Sequence, residues 1–386
     1  MIAVIADDLT GAAEIGGVAT RLGFSAELLK KRVSPREVGA DVVVYDTDSR
    51  ECSAQEAATK VRLFAESFSA CPGLSLFKKV DSACRGHIGA EIDALMKTVG
   101  FERALIIPAS PLYGRRVLDG KIYIDGKPSD QSEFRCDPTQ PSLSANAALA
   151  MQQNTSFQVV VLQEREILLP GPTGLFLPNA GSERDLAFYS QLVHRDTLPV
   201  GSAAFFKHWL LKFRKCQEPD HLSVAKESTV IHDGPALIVS GSNHETSRTQ
   251  ILRFSALGGK VIGVPTNQDR RVDEVIAVGR AAMEKGDSLA LYMDVGAIGT
   301  IDPLRAVVTF ADTVCRFIQI ANPAIILISG GQTSEVITEM LGLDRFKVHR
   351  ELAQGLVAVK GGPFHSMLFK PGSYGREDLL DKFLKN

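Results

Sequence analysis

Short runs of β-branched and aliphatic residues alternate with helix-like segments along the chain, and this alternation constrains its fold more than any other feature. IAVIA is followed by AEIGGVATRL, DVVVYDT by SAQEAATKVRLFAESF, and LSLFKKVD by IGAEIDALMKTV, with RALIIPAS next. Nearly all-apolar strands separated by amphipathic helices belong to a parallel sheet covered on both faces. From Pro111 to Pro141 the texture changes to Gly, Pro and Asp, with a hairpin signal at Asp125-Gly126, and reads as a long excursion from the sheet close to the site. FQVVVLQ and GLFLPNA then read as strands, ERDLAFYSQLV as a helix, and LPVGSAAFFKHWLLKF as a return to helix.

At 386 residues the chain exceeds one typical core. The polar segment from Cys216 to Asp233, which contains Pro219 and has no sustained period, is the best linker. A second series begins after it: PALIVSGSNHETSRTQILRF, KVIGVP, SLALYMD, a helix over Leu304 to Ile320, AIILISGGQTSEVITEML, LVAVKGG and SMLFKPGSYG. The expected fold is α/β in two domains, residues 1–217 and 230–386, each a mostly parallel sheet flanked by helices.

Composition narrows the partners. A formal charge of −2, with no sustained run of Lys or Arg, gives nothing to hold a phosphate backbone, so no nucleic acid is expected. The longest apolar runs, such as Ala324 to Ile328, fall far short of the roughly 20 residues that span a bilayer. Met1 leads at once into a strand pattern without a basic leader, and a cytoplasmic location away from membranes is expected. Six cysteines without a pairing pattern read as reduced thiols.

Three polar clusters stand where strands end, the place where open α/β sheets bind ligands. In IADDLTGA, Asp7 and Asp8 can accept from sugar hydroxyls, deprotonate an alcohol or approach Mg2+, whereas a bare phosphate would be repelled; Asp8 or Thr10 could instead cap the next helix. In KKVDSACRG, Lys79, Asp81, Ser82 and Arg85 offer donors to a carboxylate and acceptors to hydroxyls, which an acid sugar needs together. In DTDSR, Arg50 carries a planar fork suited to a carboxylate, with a helix cap as the plainer use of its neighbours.

The second half has different turns. ALIVSGSNHETSRTQ and AIILISGGQTSEV share Ser-Gly between strand and helix, where small residues let backbone amides approach an anion. Gly330-Gly331-Gln332-Thr333 and Lys370-Pro371-Gly372-Ser373-Tyr374-Gly375 could together hold ATP, or be tight turns that need glycine for packing. Neither is a Walker loop or a dinucleotide fingerprint. The histidines lack metal-ligand spacing, and no G-x-S-x-G elbow occurs.

Taken in order, IADDLTGA, DTDSR, KKVDSACRGHIGAEIDA, PASPLYGRR, VSGS, SGGQT and KPGSYGREDLL resemble the four-carbon acid sugar kinase family over nearly the whole chain. The resemblance implies a substrate-binding N-terminal domain, a nucleotide-binding C-terminal domain and an active site in the cleft between them. It implies ATP and Mg2+ as cofactors, with metal ligands left unassigned, and transfer to the terminal 4-hydroxyl of threonate, erythronate or a 3-oxo-tetronate. By motif match, Asp7, Asp8, Arg50, Lys79, Val80, Asp81, Ser82 and Arg85 fall in the acid-sugar site, with Asp8, Asp81 and Lys79 as catalytic candidates. Ser242, Gly330, Gly331, Gln332, Thr333, Gly372, Ser373 and Gly375 fall in the ATP site. Either Asp8 or Asp81 would serve the attacking hydroxyl. A non-catalytic sugar-acid and nucleotide sensor and an NAD-dependent dehydrogenase are the alternatives, the latter lacking its glycine fingerprint; assembly with copies of itself is left open.

Overall fold

The structure, a computed structural model, describes residues 1–68, 71, 73–137, 140–163, 173–213, 234–266, 272–294 and 302–384. It divides into two compact units, Met1–Cys216 and Gln217–Asn386. The Cys216 to Asp233 segment read as a linker lies outside the described residues.

The first unit begins β1 (Ile2–Ala6), α1 (Leu9–Arg21), β2 (Ala26–Leu29), β3 (Val42–Asp46), α2 (Ala54–Glu66), β4 (Ser75–Lys79), α3 (Ile88–Val99) and β5 (Arg103–Ile107). The excursion forms a small antiparallel sheet of β6 (Arg115–Leu118), β7 (Lys121–Ile124) and β8 (Lys127–Pro128), with β7 and β8 joined through Asp125-Gly126. The unit closes with α4 (Ala147–Gln152), β9 (Val159–Leu162), β10 (Gly174–Pro178), α5 (Glu183–Gln191), β11 (Thr197–Gly201) and α6 (Ala203–Leu210). Its main sheet runs β2-β3-β1-β4-β11-β5-β10-β9, parallel at every pair. β1, β3 and β5 are buried along their whole lengths, which explains sequences that are apolar but for Asp46 at the end of β3 and Arg103 at the start of β5. Phe77 on β4 packs against Phe205, Phe206 and Trp209 of α6, fixing that helix to one face of the sheet.

One stretch departs from the sequence reading. LPVG, expected to open a helix, is β11, a fully buried strand between β4 and β5. Pro199 and Gly201 disfavour helix there, and α6 starts only after Ser202, whose side chain accepts from the Phe205 amide.

The second unit comprises β12 (Ala236–Ser240), α7 (Glu245–Ala256), β13 (Lys260–Pro265), α8 (Val272–Glu284), β14 (Leu289–Asp294), α9 (Pro303–Ala321), β15 (Ile325–Ser329), α10 (Gly331–Met340), β16 (Arg345–Ala353), β17 (Leu356–Gly361) and β18 (Phe364–Lys370). Its strands follow the order β13-β14-β12-β15-β18-β17-β16, parallel from β13 to β18 and antiparallel at β18-β17 and β17-β16. Phe254 of α7 shares one core with Ile238, Leu327, Leu356 and Leu368 of the sheet. β16 escaped the sequence reading because charged residues alternate with its buried Phe346 and Val348.

Strand order sets up both candidate sites. β1 lies between β3 and β4, so their three carboxyl ends are neighbours; β15 lies likewise between β12 and β18. Among the described residues no helix is long and apolar enough to cross a membrane, and the five described cysteines are free thiols.

Candidate active site

At the end of β1 the chain turns into α1 through Asp8, which is extended at φ −146 and ψ 156 and caps the helix. Asp8 Oδ1 accepts from the Gly11 amide at 3.0 Å and Oδ2 from Thr10 Oγ1 at 2.6 Å. Asp7 points elsewhere: its Oδ2 accepts from Arg50 Nε at 2.7 Å, while its buried Oδ1 has no hydrogen-bond partner. Arg50 Nη2 also reaches Asp8 Oδ1 at 2.7 Å. The fork expected to await a ligand carboxylate therefore already bridges the two aspartates of the opening motif. Burial by itself would raise the Asp7 carboxyl, but the charge and hydrogen bond of Arg50, aided by Lys78 and Lys79, outweigh it and keep Asp7 below the ordinary carboxylate range.

The loop carrying Arg50 is held from below. The Ser49 and Arg50 amides both donate to the Asp7 carbonyl, at 3.0 and 3.3 Å. Thr47 Oγ1 donates to the Ala6 carbonyl at 2.9 Å and lies 2.7 Å from Ser49 Oγ, which donates to Glu91 Oε1 on α3. Glu91 Oε2 in turn pairs with Lys78 at 2.8 Å, both side chains being buried. This network ties β1, the loop after β3, β4 and α3 into one floor.

On that floor lies Lys79, 4% exposed, whose Nζ donates to the Val80 carbonyl at 3.1 Å and comes no nearer to Glu14 on α1 than 3.6 Å. A Cβ added at Gly11 would lie 2.5 Å from Asp8 Oδ1 and 3.2 Å from Lys79 Nζ, so the carboxylate and the ammonium converge over one small residue. Val80 contributes only backbone, its side chain being buried. Ser82 has no hydrogen-bond partner for its hydroxyl among the described residues and is nearly buried.

Both oxygens of Asp81 are engaged. Its Oδ2 accepts from the Ala83 amide at 3.1 Å and from the amide and Nε of Arg85 at 3.2 and 3.0 Å, while Oδ1 takes Arg85 Nη2 at 2.8 Å. Burial pushes Asp81 up, yet Arg85, Arg50 and Lys79 together hold it far below the ordinary range. Arg85 extends to Asp137 at 2.7 Å and lies over the Phe134 ring at 5.0 Å. Both partners belong to the excursion, which thus reaches the turn after β4.

Sequence reasoning missed Glu14, Glu91, Phe134 and Asp137, and it placed Thr47, Ser49 and Lys78 in the strand-end clusters without their partners. The available signal for Glu14 and Glu91 was a carboxylate on an otherwise apolar helix face, the mark of a buried charge with a partner.

In the second unit Ser240 pairs with Ser329 and Ser329 with Lys370, so the turns after β12, β15 and β18 stand side by side. Gly330, at φ 118, caps α10, and its position is 3.6 Å from Ser242 Cβ and 3.4 Å from Thr333 Oγ1 when a Cβ is built on it. At Gly372 an added Cβ would meet Ser242 Oγ at 2.0 Å. The turns touch because glycine leaves room. Gly331 and Gln332 form the partly exposed first turn of α10, and Ser373 and Gly375 follow Gly372 along the same rim. Turns this small at a helix N-terminus fit the phosphates of a nucleotide. Among the described residues no three His, Cys, Asp or Glu side chains cluster to hold a metal ion.

Residues 2–208 match the sugar-binding N-terminal domain family and residues 237–380 the nucleotide-binding C-terminal domain family. The D-threonate kinase of Salmonella typhimurium LT2 is 30% identical over 263 residues, covering 64% of this chain and 59% of that protein's length. The 3-oxo-tetronate kinase of Brucella melitensis biotype 1 is 23% identical over 416 residues, covering 97% of this chain and 93% of that protein. This chain belongs to the four-carbon acid sugar kinase family. Its enzymatic class is that of the family, the sugar-acid phosphotransferases. The fold is shared with protein HI1011 of Haemophilus influenzae, at a TM-score of 0.69 and 17% identity over 99% of this chain and 98% of the other. Within the family frame, the carboxylate-rich strand ends belong to the sugar-binding match and the glycine turns to the nucleotide-binding match.

Proposed function

We propose that this chain transfers the γ-phosphoryl group of ATP to the terminal 4-hydroxyl of a four-carbon sugar acid such as threonate, erythronate or a 3-oxo-tetronate. The observation that carries the reading is Lys79: a buried ammonium at the end of β4 with one carbonyl bond and its nearest carboxylate at 3.6 Å keeps donors for an anionic oxygen. Arg50 and Arg85, by contrast, are committed to Asp7, Asp8, Asp81 and Asp137. Lys79 therefore binds the acceptor carboxylate or the phosphoryl oxygens as charge builds on them.

Asp8 is the group that orients and deprotonates the attacking hydroxyl. It stands beside Lys79 and takes three protein donors, against four on Asp81, whose carboxyl Arg85, Arg50 and Lys79 also hold far below the ordinary range. Ser82 hydrogen-bonds a substrate hydroxyl, and the unsatisfied Asp7 Oδ1 accepts another. In the second unit Ser242, Gly330 to Thr333 and Gly372 to Gly375 hold the nucleotide. Mg-ATP, when bound, supplies the phosphoryl group and the counter-charge for its oxygens. Positioning supplies the remainder of the rate.

The position of transfer is tested by proton-coupled phosphorus NMR of the product. A phosphate on the 4-hydroxyl couples to a methylene and gives a triplet; a doublet would place it on a secondary hydroxyl and overturn that part of the reading.

A further inference from the structure

Lys370 ends β18, is 1% exposed, and takes no part in the chemistry proposed above. Its Nζ lies 3.1 Å from the carbonyl of Pro371, 3.3 Å from that of Gly372, 3.0 Å from that of Tyr374 and 3.3 Å from Ser247 Oγ on α7. The loop after β18 is thus wrapped around a buried ammonium with three of its carbonyls facing inward. Ser247 reinforces the arrangement by donating to the Gly372 carbonyl at 2.7 Å, and the Gly330 amide donates to the Lys370 carbonyl at 2.9 Å, joining this loop to the start of α10.

In a trans peptide the carbonyl of one residue and the amide of the next point in opposite directions. Inward carbonyls at Pro371, Gly372 and Tyr374 consequently turn the amides of Gly372, Ser373 and Gly375 outward. None of these three amides donates to a protein group among the described residues, whereas the Tyr374 amide between them closes on Pro371. Successive outward amides form a concavity that receives anions.

We propose that Lys370 is the positioning residue of this loop: its ammonium orients the amides of Gly372, Ser373 and Gly375 so that they receive the phosphate oxygens of a nucleotide. The inference rests on the reading of the second unit as the nucleotide site and adds to it the group that builds the surface. Burial holds the Lys370 ammonium down to about 7. The elements joined to it carry His244, Glu245 and Arg248 at the start of α7, Glu335 on α10, and Tyr374 and Arg376 on the loop, and burial is the cause of that lowering. The organising charge is therefore lost as pH rises through neutrality.

The test is calorimetric titration of the full chain with Mg-ADP, for the wild type, Lys370→Met and Ser247→Ala, at pH 6.5 and 8.5. We expect Lys370→Met to weaken Mg-ADP by at least about tenfold at the lower pH, the equivalent of losing one charge-assisted hydrogen bond. Ser247→Ala, which keeps the ammonium, should weaken it by a smaller factor of about threefold. Wild-type affinity should fall between the two pH values by more than that of Lys370→Met, whose residual dependence belongs to the nucleotide itself. A folded Lys370→Met with wild-type affinity, or an identical pH response in both proteins, would overturn the inference. If Lys370→Met does not fold, wild-type affinity in Ser247→Ala or a flat wild-type pH response overturns it equally. Absence of Mg-ADP binding by folded wild type would sink the nucleotide reading itself, a result distinct from these.

Discussion

Arg50 closes on Asp7, with Nε 2.7 Å from Oδ2, and with its Nη2 spans to Asp8, so one planar cation fixes both carboxylates of the opening motif. A lysine cannot serve two carboxylates in this manner. Arg50→Lys is expected to lose about 1–3 kcal/mol of stability, read as the shift of a urea midpoint, because a buried carboxylate is left short of a donor. Its turnover should fall as well, since Asp8 loses its lateral restraint. An unchanged midpoint would mean that the pair is ornamental.

The two aspartates considered as base differ in their partners: Asp8 caps α1, and Arg85 closes on Asp81. Asp8→Asn is expected to lower kcat by about 10²- to 10⁴-fold, the usual contribution of a positioned base. Asp81→Asn should act on KM for the acid, by about tenfold, because it frees Arg85 while leaving the base in place. Steady-state kinetics on both variants decides, and the reverse pattern would move the base to Asp81.

Acid stability follows from the same carboxylates. Asp7 and Asp81 are both lower in the folded chain than when unfolded, where they titrate near about 3.9. Their stabilisation is fully present above that unfolded value and is lost as pH falls below it towards the folded values. Urea midpoints should be level in this respect from pH 8 to 5 and drop below pH 4. In Asp81→Asn the drop should be shallower; equal slopes would show that Asp81 carries no such linkage.

Gly372 tests the nucleotide side by sterics. Its added Cβ would lie 2.0 Å from Ser242 Oγ, so one of the two turns must move. Gly372→Ala is expected to raise KM for ATP by about tenfold while leaving KM for the acid within about twofold, from a misfit of about 1–3 kcal/mol. Equal rises in both constants would point to general loss of structure.

Much of this was legible in the sequence. The apolar runs within Ile2–Ala6, Val42–Asp46 and Ile325–Ser329 announce buried parallel strands, each followed by a polar or glycine-rich turn read as a candidate site edge. Partners were not legible, because a sequence shows which charges exist and not which neutralise one another. Arg50 read as an open fork until strand order placed β3 beside β1, and Asp81 stood level with Asp8 as a candidate base until Arg85 closed on it. Lys78 and Glu91 were invisible as a pair for the same reason, being separated along the chain and joined only by folding. Asp8, left open as a ligand, base or cap, does cap α1, and its proposed chemical role is added to that one.

The most direct measurement is Mg-ATP-dependent ADP release by the purified chain against a panel of threonate, erythronate and 3-oxo-tetronate stereoisomers. The expected result is turnover on at least one of these acids that is lost in Asp8→Asn and Lys79→Met. Binding of Mg-ATP and of an acid without ADP release from any member of the panel would contradict it and favour a sensor.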